Sequence, residues 1–351
     1  MLHPVARRAR VAERITLALK LNIYGHPLGT PFDVFVRLAR HAESAGFDAA
    51  YVVDHLYLPP ERYSGYSWTD PNQPYFLEAW TVLAALAQAT HRIRLGPQVS
   101  PTTFRHPSML AKMGATVDLI SNGRLVLQLG TGWHKEEHQA YGFPFDERFG
   151  TRFEAMLEAV QIVRGLWTTD GPFTFEGEHF QVREAPFYPK PVQKPSPPIW
   201  FGGGGRKVRT AIARYGDGWS PAMSLAEGVG VQEYTNTLTE IRSLAESFGR
   251  DPASIAAGLL CTTAIHEDRD RAAELASVLH RRVDYRDMSL DEMRRRGLLV
   301  WGTPDDCLRA IEGYIAAGAR NFTLNFVPFG DPDSALRGMD LYASKVLPRI
   351  G

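Results

Sequence analysis

The sequence predicts an α/β fold, and more specifically a (β/α)8 TIM barrel with loop insertions. Eight candidate strands alternate with helical patterns, which is the order of a parallel sheet rather than of an antiparallel sandwich. The chain has 351 residues, so a barrel of about 250 residues leaves room for insertions. A doubly wound open sheet is the alternative, but its first strand is usually followed by G-x-G-x-x-G, whereas this chain has Tyr24-Gly-His-Pro-Leu-Gly.

The elements follow one another in a regular order. The first strand is predicted over 15–23, because apolar residues occupy every odd position there. The next helix begins with Thr30 as N-cap and Pro31 at the first helical position, and it ends at Gly46. A short buried strand, 50–53, comes next. Later patterns predict strands over 92–98, 124–130, 198–202, around Trp219, over 256–264 and 321–327, and helices over 76–89, 107–120, 147–167, 205–215, 228–248, 267–280, 304–317 and 334–347.

The rest of the chain is assigned to an arm and to insertions in one domain. Residues 1–14 are predicted to form a mobile N-terminal arm, because this arginine-rich segment lacks an apolar core. Residues 15–351 are predicted to form a single barrel domain. Its insertions are expected near 56–75, 170–197 and 282–300, and the second of them contains a hairpin-like pattern over 173–180.

Composition excludes several classes of protein. Lys and Arg number 39, as do Asp and Glu, and a net charge of zero argues against nucleic acid as the main partner. The two cysteines, Cys261 and Cys307, are too few for a disulfide framework and lie at no metal-ligand spacing with histidines, so no metal site is predicted. No stretch approaches the roughly eighteen apolar residues of a membrane span. These features predict a cytoplasmic protein without membrane contact.

Candidate functional residues lie where predicted strands end, because a packed barrel carries its active site in the loops at that face. The glycine run 202–205 offers bare N–H groups at the start of a helix, and Arg206 and Lys207 add positive charge. This turn can bind a phosphate, although a flexible turn without a ligand is the alternative. Asp54 and His55 combine a carboxylate with a side-chain type that titrates near neutrality, which suits acid and base chemistry. A simple loop cap is the alternative for that pair.

Two further features lie at these strand ends. Gly130-Thr-Gly begins a donor-rich loop, but the Lys and Glu residues after His134 fit the start of a solvated helix equally well. Aromatic side chains in the expected loops suit a pocket for a flat cofactor and an apolar substrate, and packing of insertions onto the barrel is the alternative. These aromatic residues are Tyr57, Tyr63, Tyr66, Trp68, Tyr75, Trp133 and Trp219.

Five segments in a fixed order carry a combined signal. They are 42–55, which ends in Tyr-Val-Val-Asp-His, 92–107 with Thr-Phe-Arg-His-Pro, 120–134 with Leu-Gly-Thr-Gly-Trp-His, 197–205 with Trp-Phe-Gly-Gly-Gly-Gly, and 215–219 with Tyr-Gly-Asp-Gly-Trp. Together they resemble the bacterial luciferase-like family of flavin- and coenzyme F420-dependent oxidoreductases. The resemblance extends from about Leu17 to Val327.

This resemblance implies a (β/α)8 barrel whose mouth binds coenzyme F420 or FMN and transfers hydride to or from a substrate. It implies that His55 is the catalytic proton donor or acceptor and that a non-prolyl cis peptide joins Gln98 to Val99 behind the ring. The implied cofactor-binding residues are Asp54, Gln98, Val99, Thr131, Gly132, Gly203, Gly204 and Gly205, together with Arg206 and Lys207. The expected substrate-pocket residues are Tyr57, Trp68, Trp133, His134 and Trp219.

Trp133-His134 and the Lys-Pro-Val-Gln-Lys-Pro segment at 190–195 are more similar to F420-type members than to the luciferases. F420-dependent glucose-6-phosphate dehydrogenases carry Glu at the position of Trp133, so the resemblance implies a largely apolar substrate instead. The leading prediction is a homodimeric reductase that uses reduced F420 to transfer hydride to an activated C=C or C=N bond. The alternatives are an FMN-dependent monooxygenase and a non-catalytic cofactor-binding barrel.

Overall fold

The computed structural model describes residues 14–23, 32–58, 76–224, 229–281 and 285–350. Several predictions fall outside these described residues. They are the N-terminal arm before Arg14, the helix start at Thr30 and Pro31, most of the first insertion, and Trp68.

Strands and helices alternate along the described chain. The strands are β1 (Thr16–Leu21), β2 (Ala49–Val52), β3 (Arg94–Pro97), β4 (Ser100–Pro101), β5 (Leu127–Gly130), β6 (Phe173–Glu176), β7 (Gln181–Ala185), β8 (Ile199–Phe201), β9 (Gly218–Trp219), β10 (Ala256–Ile265), β11 (Val300–Gly302) and β12 (Asn321–Phe326). The helices are α1 (Asp33–Ser44), α2 (Ala79–Ala89), α3 (Pro107–Ile120), α4 (Lys135–Tyr141), α5 (Phe149–Thr168), α6 (Arg206–Tyr215), α7 (Val231–Ser247), α8 (Arg269–Ser277), α9 (Leu290–Arg295), α10 (Pro304–Ala316) and α11 (Pro332–Leu341).

Parallel strands form a closed barrel of eight positions. Their order is β3, β2, β1, β12, β10, β9, β8, β5 and β4, and β4 continues β3 after an interruption at Gln98 and Val99. Backbone hydrogen bonds at Leu95 close the ring. Its N–H donates to the carbonyl of Arg124 at 3.0 Å, and its carbonyl accepts from the N–H of Val126 at 2.8 Å. The predicted (β/α)8 barrel is confirmed.

The barrel has an apolar outer layer and a mixed interior. Leu17 and Leu19 of β1 belong to the main core between strands and helices, whereas Ala18 belongs to a small cluster of side chains that includes Trp200. Two residues after Ala18, on the same side of β1, Lys20 is buried inside the barrel. Buried polar side chains thus lie between the apolar interior cluster and the carboxyl ends of the strands, where the predicted site residues begin.

Some short elements were not predicted. β11 pairs with β10 beside the main ring, and α9 lies in the region that the sequence assigned to an insertion near 282–300. α4 begins at Lys135, where the sequence allowed the start of a solvated helix as one of two alternatives. Two or three residues of strand show no period, which is why sequence patterns do not find such elements. The hairpin-like pattern at 173–180 contains β6 and the turn after it, and β6 pairs antiparallel with β7, which lies just after the pattern. Among the described residues, no helix is long and apolar enough to cross a membrane.

Candidate active site

Most of the predicted site residues that the structure describes follow the carboxyl ends of β2, β3, β5 and β8, and Trp219 lies in β9. In a closed parallel barrel these ends share one face, so residues that are distant in sequence become neighbours. Hydrogen bonds of a side chain on α4, the helix after β5, to the loop after β2 join two of these ends directly.

Asp54 is part of a buried ion-pair network. Its carboxylate accepts two N–H groups of Arg105, at 2.7 and 3.1 Å, and the hydroxyl of Ser100. Arg105 also donates to Glu78 at 2.6 Å. Burial would lower the pKa of Arg105, but Asp54 and Glu78 outweigh burial and raise it. Three hydrogen bonds thus orient the Asp54 carboxylate, and the cofactor contact of Asp54 stays a prediction.

His55 is held by a buried glutamate from a different strand end. Nδ1 of His55 donates to Oε2 of Glu137 at 2.8 Å, and Oε1 of Glu137 accepts the backbone N–H groups of Leu56 at 2.5 Å and Tyr57 at 3.1 Å. Burial would raise the pKa of Glu137, but these hydrogen bonds outweigh burial and lower it. The glutamate is therefore charged at neutral pH, and a neutral His55 ring keeps its proton on Nδ1 and its lone pair on Nε2.

Glu137 lies on α4, whose ends have clear sequence signals. Acidic residues occupy the first turn, where the helix dipole favours them, and Gly142 ends the helix with a φ of 71°.

His138 lies on the same helix, and both of its ring nitrogens are hydrogen-bonded. Its Nδ1 donates to the carbonyl of His134 at 2.6 Å, and its Nε2 accepts from Thr103 at 2.7 Å. Burial is the main cause that lowers the pKa of His138, so this ring is neutral near pH 7.

Aromatic rings surround His55. His55 and Trp133 form an edge-to-face contact, and their ring centroids are 5.6 Å apart. Trp133 stacks on His134 at 5.1 Å, and Tyr57 stacks on His134 at 6.0 Å. Trp133 is 53% exposed, whereas His134 is buried. The structure therefore brings three predicted substrate-pocket residues together beside the predicted catalytic histidine.

The peptide bond between Gln98 and Val99 is cis, as the resemblance implies. Val99 lies against two glycines. A Cβ atom at Gly130 would be 2.8 Å from Val99 Cγ2, and one at Gly202 would be 3.4 Å from Cγ1. The carbonyl of Gln98 accepts a hydrogen bond from the ammonium group of Lys20 inside the barrel. The Val99 side chain thus occupies a space that glycine leaves at the ends of β5 and β8.

The glycine run between β8 and α6 is open on one side. Gly203 has a φ of 80°, which favours glycine. A Cβ atom at Gly204 or Gly205 would meet no atom of the described chain within 4 Å. The guanidinium of Arg209 donates to the carbonyl of Gly204 at 2.5 Å and fixes the turn. Backbone N–H groups at a helix start beside open space fit a phosphate group.

Trp219 lies behind this glycine run. It is fully buried, donates its indole N–H to the carbonyl of Gly203 at 2.6 Å, and stacks on Tyr234 with centroids 4.9 Å apart. Its place in a substrate pocket stays a prediction, since its described contacts support the glycine turn. Arg206 and Lys207 are exposed at the first turn of α6, next to that turn.

Thr131 and Gly132 follow β5. Gly132 has a φ of 73°, and a Cβ atom there would be 2.7 Å from the hydroxyl of Thr103 and 3.0 Å from Nε2 of His138. Only glycine fits at this point. The hydroxyl of Thr131 donates to the carbonyl of Gly132 at 3.3 Å, so both residues shape the backbone that leads to Trp133.

Sequence reasoning missed three charged residues of the site: Arg105, Glu137 and Lys20. Arg105 is the arginine of the Thr-Phe-Arg-His-Pro segment, so a signal was present. Glu137 follows His134 by three positions, a spacing that puts both on one side of a helix, but the sequence also allowed a solvated helix start there. Lys20 continues the β1 alternation on the side opposite the leucines, which was the available sign that it faces the interior.

Known proteins resemble this chain in sequence and in overall fold. The F420-dependent glucose-6-phosphate dehydrogenase of Amycolatopsis mediterranei (strain U-32) is 27% identical over 337 residues, which cover 90% of this chain and 93% of that protein. Pyrimidine monooxygenase RutA of Pseudomonas syringae pv. syringae (strain B728a) is 37% identical over 161 residues, 46% of this chain and 42% of that protein. A solved F420-dependent secondary alcohol dehydrogenase in complex with an F420-acetone adduct has a TM-score of 0.79 at 21% identity and covers 96% of this chain and 99% of its own. The sequence model of the luciferase-like monooxygenase family matches residues 15–321, and the chain belongs to this family, as the resemblance predicted.

Proposed function

We propose that the chain is an F420-dependent oxidoreductase, and more specifically a reductase that transfers hydride from reduced F420 to an activated C=C or C=N bond of a largely apolar metabolite. The observation that carries the proposal is the buried contact between His55 and Glu137 at the barrel mouth. It supplies a fixed group for proton transfer beside the predicted cofactor site. The relatives support the wider class, because several carry F420-dependent dehydrogenase in their names.

The residues fit a cofactor that combines a planar ring with a phosphate-bearing tail. Open space in front of Gly204 and Gly205, at the positive end of α6, suits the phosphate. Exposed Arg206 and Lys207 suit the acidic groups of an F420 tail. Val99, in its place between Gly130 and Gly202, would support the ring.

When bound, F420 supplies a carbon centre that gives or takes a hydride, and the chain must then handle the proton. Protonated His55 can give a proton from Nε2 while Glu137 stabilises the charged ring through Nδ1, and neutral His55 can take a proton back at the same nitrogen. The fixed Nδ1 contact means that the ring needs no reorientation between the two states. The Trp133 indole beside His55 would exclude water and contact an apolar substrate.

An FMN-dependent monooxygenase is the second candidate, favoured by the 37% identity to a monooxygenase over 161 residues. Parallel titrations of the purified chain with F420 and with FMN separate the two. We expect F420 to bind and FMN to bind more weakly. Gly204→Ala should weaken F420 binding about tenfold by placing a methyl group in the phosphate space, whereas Gly230→Ala at the start of α7 should not. Tight FMN binding without F420 binding would refute the proposal.

Catalysis is tested with reduced F420 and a panel of conjugated enones and imines. His55→Ala should lower turnover about 100-fold while F420 affinity is kept. Unchanged turnover would instead favour the third candidate, a barrel that binds a cofactor without using it. We also propose a homodimer in the cytoplasm, and size-exclusion chromatography with light scattering tests the dimer.

A further inference from the structure

We propose that His55, His134 and Glu137 bind a divalent transition-metal ion, with zinc as the ion that this donor set favours. The sequence by itself predicts no metal site. His55 lies in the loop after β2, His134 in the loop after β5 and Glu137 on α4, and only the closed barrel brings them together. The inference concerns a different ligand from the proposed cofactor and does not depend on the proposed oxidoreductase function.

The donor atoms have distances close to those of a metal site. One donor atom from each of the three residues lies within 4.8 Å of the others. Oε2 of Glu137 is 2.8 Å from Nδ1 of His55 and 3.6 Å from Nδ1 of His134. Bonds of about 2.0 to 2.1 Å in a tetrahedral zinc site place neighbouring donors about 3.3 Å apart. Both observed distances lie within about 0.5 Å of that value, and the donor atoms of the two histidines lie within 4.8 Å of each other, so side-chain movements of at most about 1.5 Å would place all three on one ion.

His134 provides the independent observation. It is 4% exposed, and neither ring nitrogen has a hydrogen-bond partner among the residues that the structure describes. Buried polar groups are normally hydrogen-bonded, so this ring has an unmet requirement. His138, one helical turn later, shows the contrast, because Thr103 and a backbone carbonyl satisfy both of its nitrogens. A metal ion would take the lone pair of His134 that the protein leaves unused.

The surroundings of the donors suit a metal as well. Oε1 of Glu137 is occupied by two backbone N–H groups, which fix the carboxylate and leave Oε2 as the ligand atom. The exposed carboxylate of Glu136 lies 3.4 Å from Nε2 of His134, where it would orient the ring once Nδ1 binds the ion. Carboxylates in this outer position commonly support metal-bound histidines.

The composition of the site selects the ion. Two imidazoles and one carboxylate are the ligands of a known class of zinc site in which the fourth position holds water or a substrate. Imidazole also suits copper and nickel, but magnesium and calcium prefer oxygen ligands. Binding at Nδ1 of His55 moves the proton of a neutral ring to Nε2, so the ion would replace the hydrogen bond between His55 and Glu137 without net proton release. Zinc would therefore compete with the histidine and glutamate pair.

Isothermal titration of untagged, chelator-treated protein with zinc chloride, without F420, tests the site. We expect one zinc ion per chain. His134→Ala and Glu137→Gln should each weaken zinc binding by more than about tenfold, since even the loss of an outer partner commonly has that effect. His41→Ala is the matched control, because this histidine lies at the surface against Asp340 and should leave zinc binding unchanged.

Absence of zinc binding to the wild-type chain would overturn the proposal, as would equal binding by His134→Ala. His134→Gln, which keeps the size of the side chain, replaces His134→Ala if that variant does not fold, as judged by circular dichroism. The visible spectrum of the cobalt-loaded chain is the second readout. Strong bands typical of four-coordinate cobalt should appear in the wild type and vanish in the His134 variant. F420 binding is titrated separately with the same samples. The zinc proposal and the F420 proposal can therefore fail independently of each other.

Discussion

Lys20 provides a test of the polar barrel interior. Its ammonium group is buried among strand residues and donates to the carbonyl of Gln98, which is the carbonyl group of the cis peptide bond itself. Burial lowers the pKa of Lys20 from 10.5 to about 7. Lys20→Met keeps the length of the side chain but removes the titrating group. The pH dependence of the free energy of unfolding should then differ between the two proteins.

The sign and size of this difference follow from proton linkage. Between about pH 7 and pH 10 the unfolded chain keeps the proton on Lys20, whereas the native chain has released it. Because the unfolded state binds more protons there, the free energy of unfolding rises with pH in this window by about 1.4 kcal/mol per unit relative to the variant. From pH 7 to pH 10 the wild type should gain about 4 kcal/mol over Lys20→Met. Below pH 7 both states are protonated and the two curves should run parallel.

Reversible urea unfolding, followed by tryptophan fluorescence at several pH values, measures the effect. Lys112→Met is the matched control, because Lys112 also donates to a backbone carbonyl, that of Tyr188 at 2.7 Å, but at the surface. The control should follow the wild-type curve at every pH. If Lys20→Met also follows the wild type from pH 7 to 10, Lys20 does not lose its proton in the native state in this range, which contradicts the prediction.

Two further predictions concern the closure of the barrel. In Gly96→Ala, the new methyl group would lie 1.9 Å from the backbone carbonyl oxygen of Val126, so we expect a loss of more than about 4 kcal/mol in urea unfolding or insoluble protein. In Gly230→Ala the new methyl group meets no described atom within 4 Å, so the free energy of unfolding should fall by less than about 1 kcal/mol. Equal losses in the two variants would contradict the close approach of Gly96 to Val126 that closes the barrel. Arg124→Lys should lose about 3 kcal/mol, because the guanidinium of Arg124 makes five hydrogen bonds of 2.6 to 2.9 Å that an ammonium group cannot reproduce. If the free energy of unfolding changes by less than about 1 kcal/mol in the same assay, these five hydrogen bonds do not stabilise the closed barrel.

The fold was predictable where elements are long and periodic. β1 alternates over six residues and α5 extends over twenty, and both lie within one or two residues of their predicted limits. The shorter β11 and α9 were not predicted, because three to six residues carry too little pattern. The family and the cis bond at Gln98-Val99 came from the combination of motifs in order, not from any single one.

The candidate site, like the fold, was predictable from the sequence only in part. The sequence by itself pointed to the strand ends, to His55 and Asp54 there, and to the glycine run, because those residues are adjacent in sequence or follow a patterned strand. Only the tertiary structure decided their partners. Glu137 reaches His55 from 82 positions away, and Arg105 reaches Asp54 from 51. Local periodicity reports which side of one element is buried, whereas contacts between strand ends depend on how the barrel closes. That closure determines which charges are paired and which imidazole is left without a hydrogen bond among the described residues.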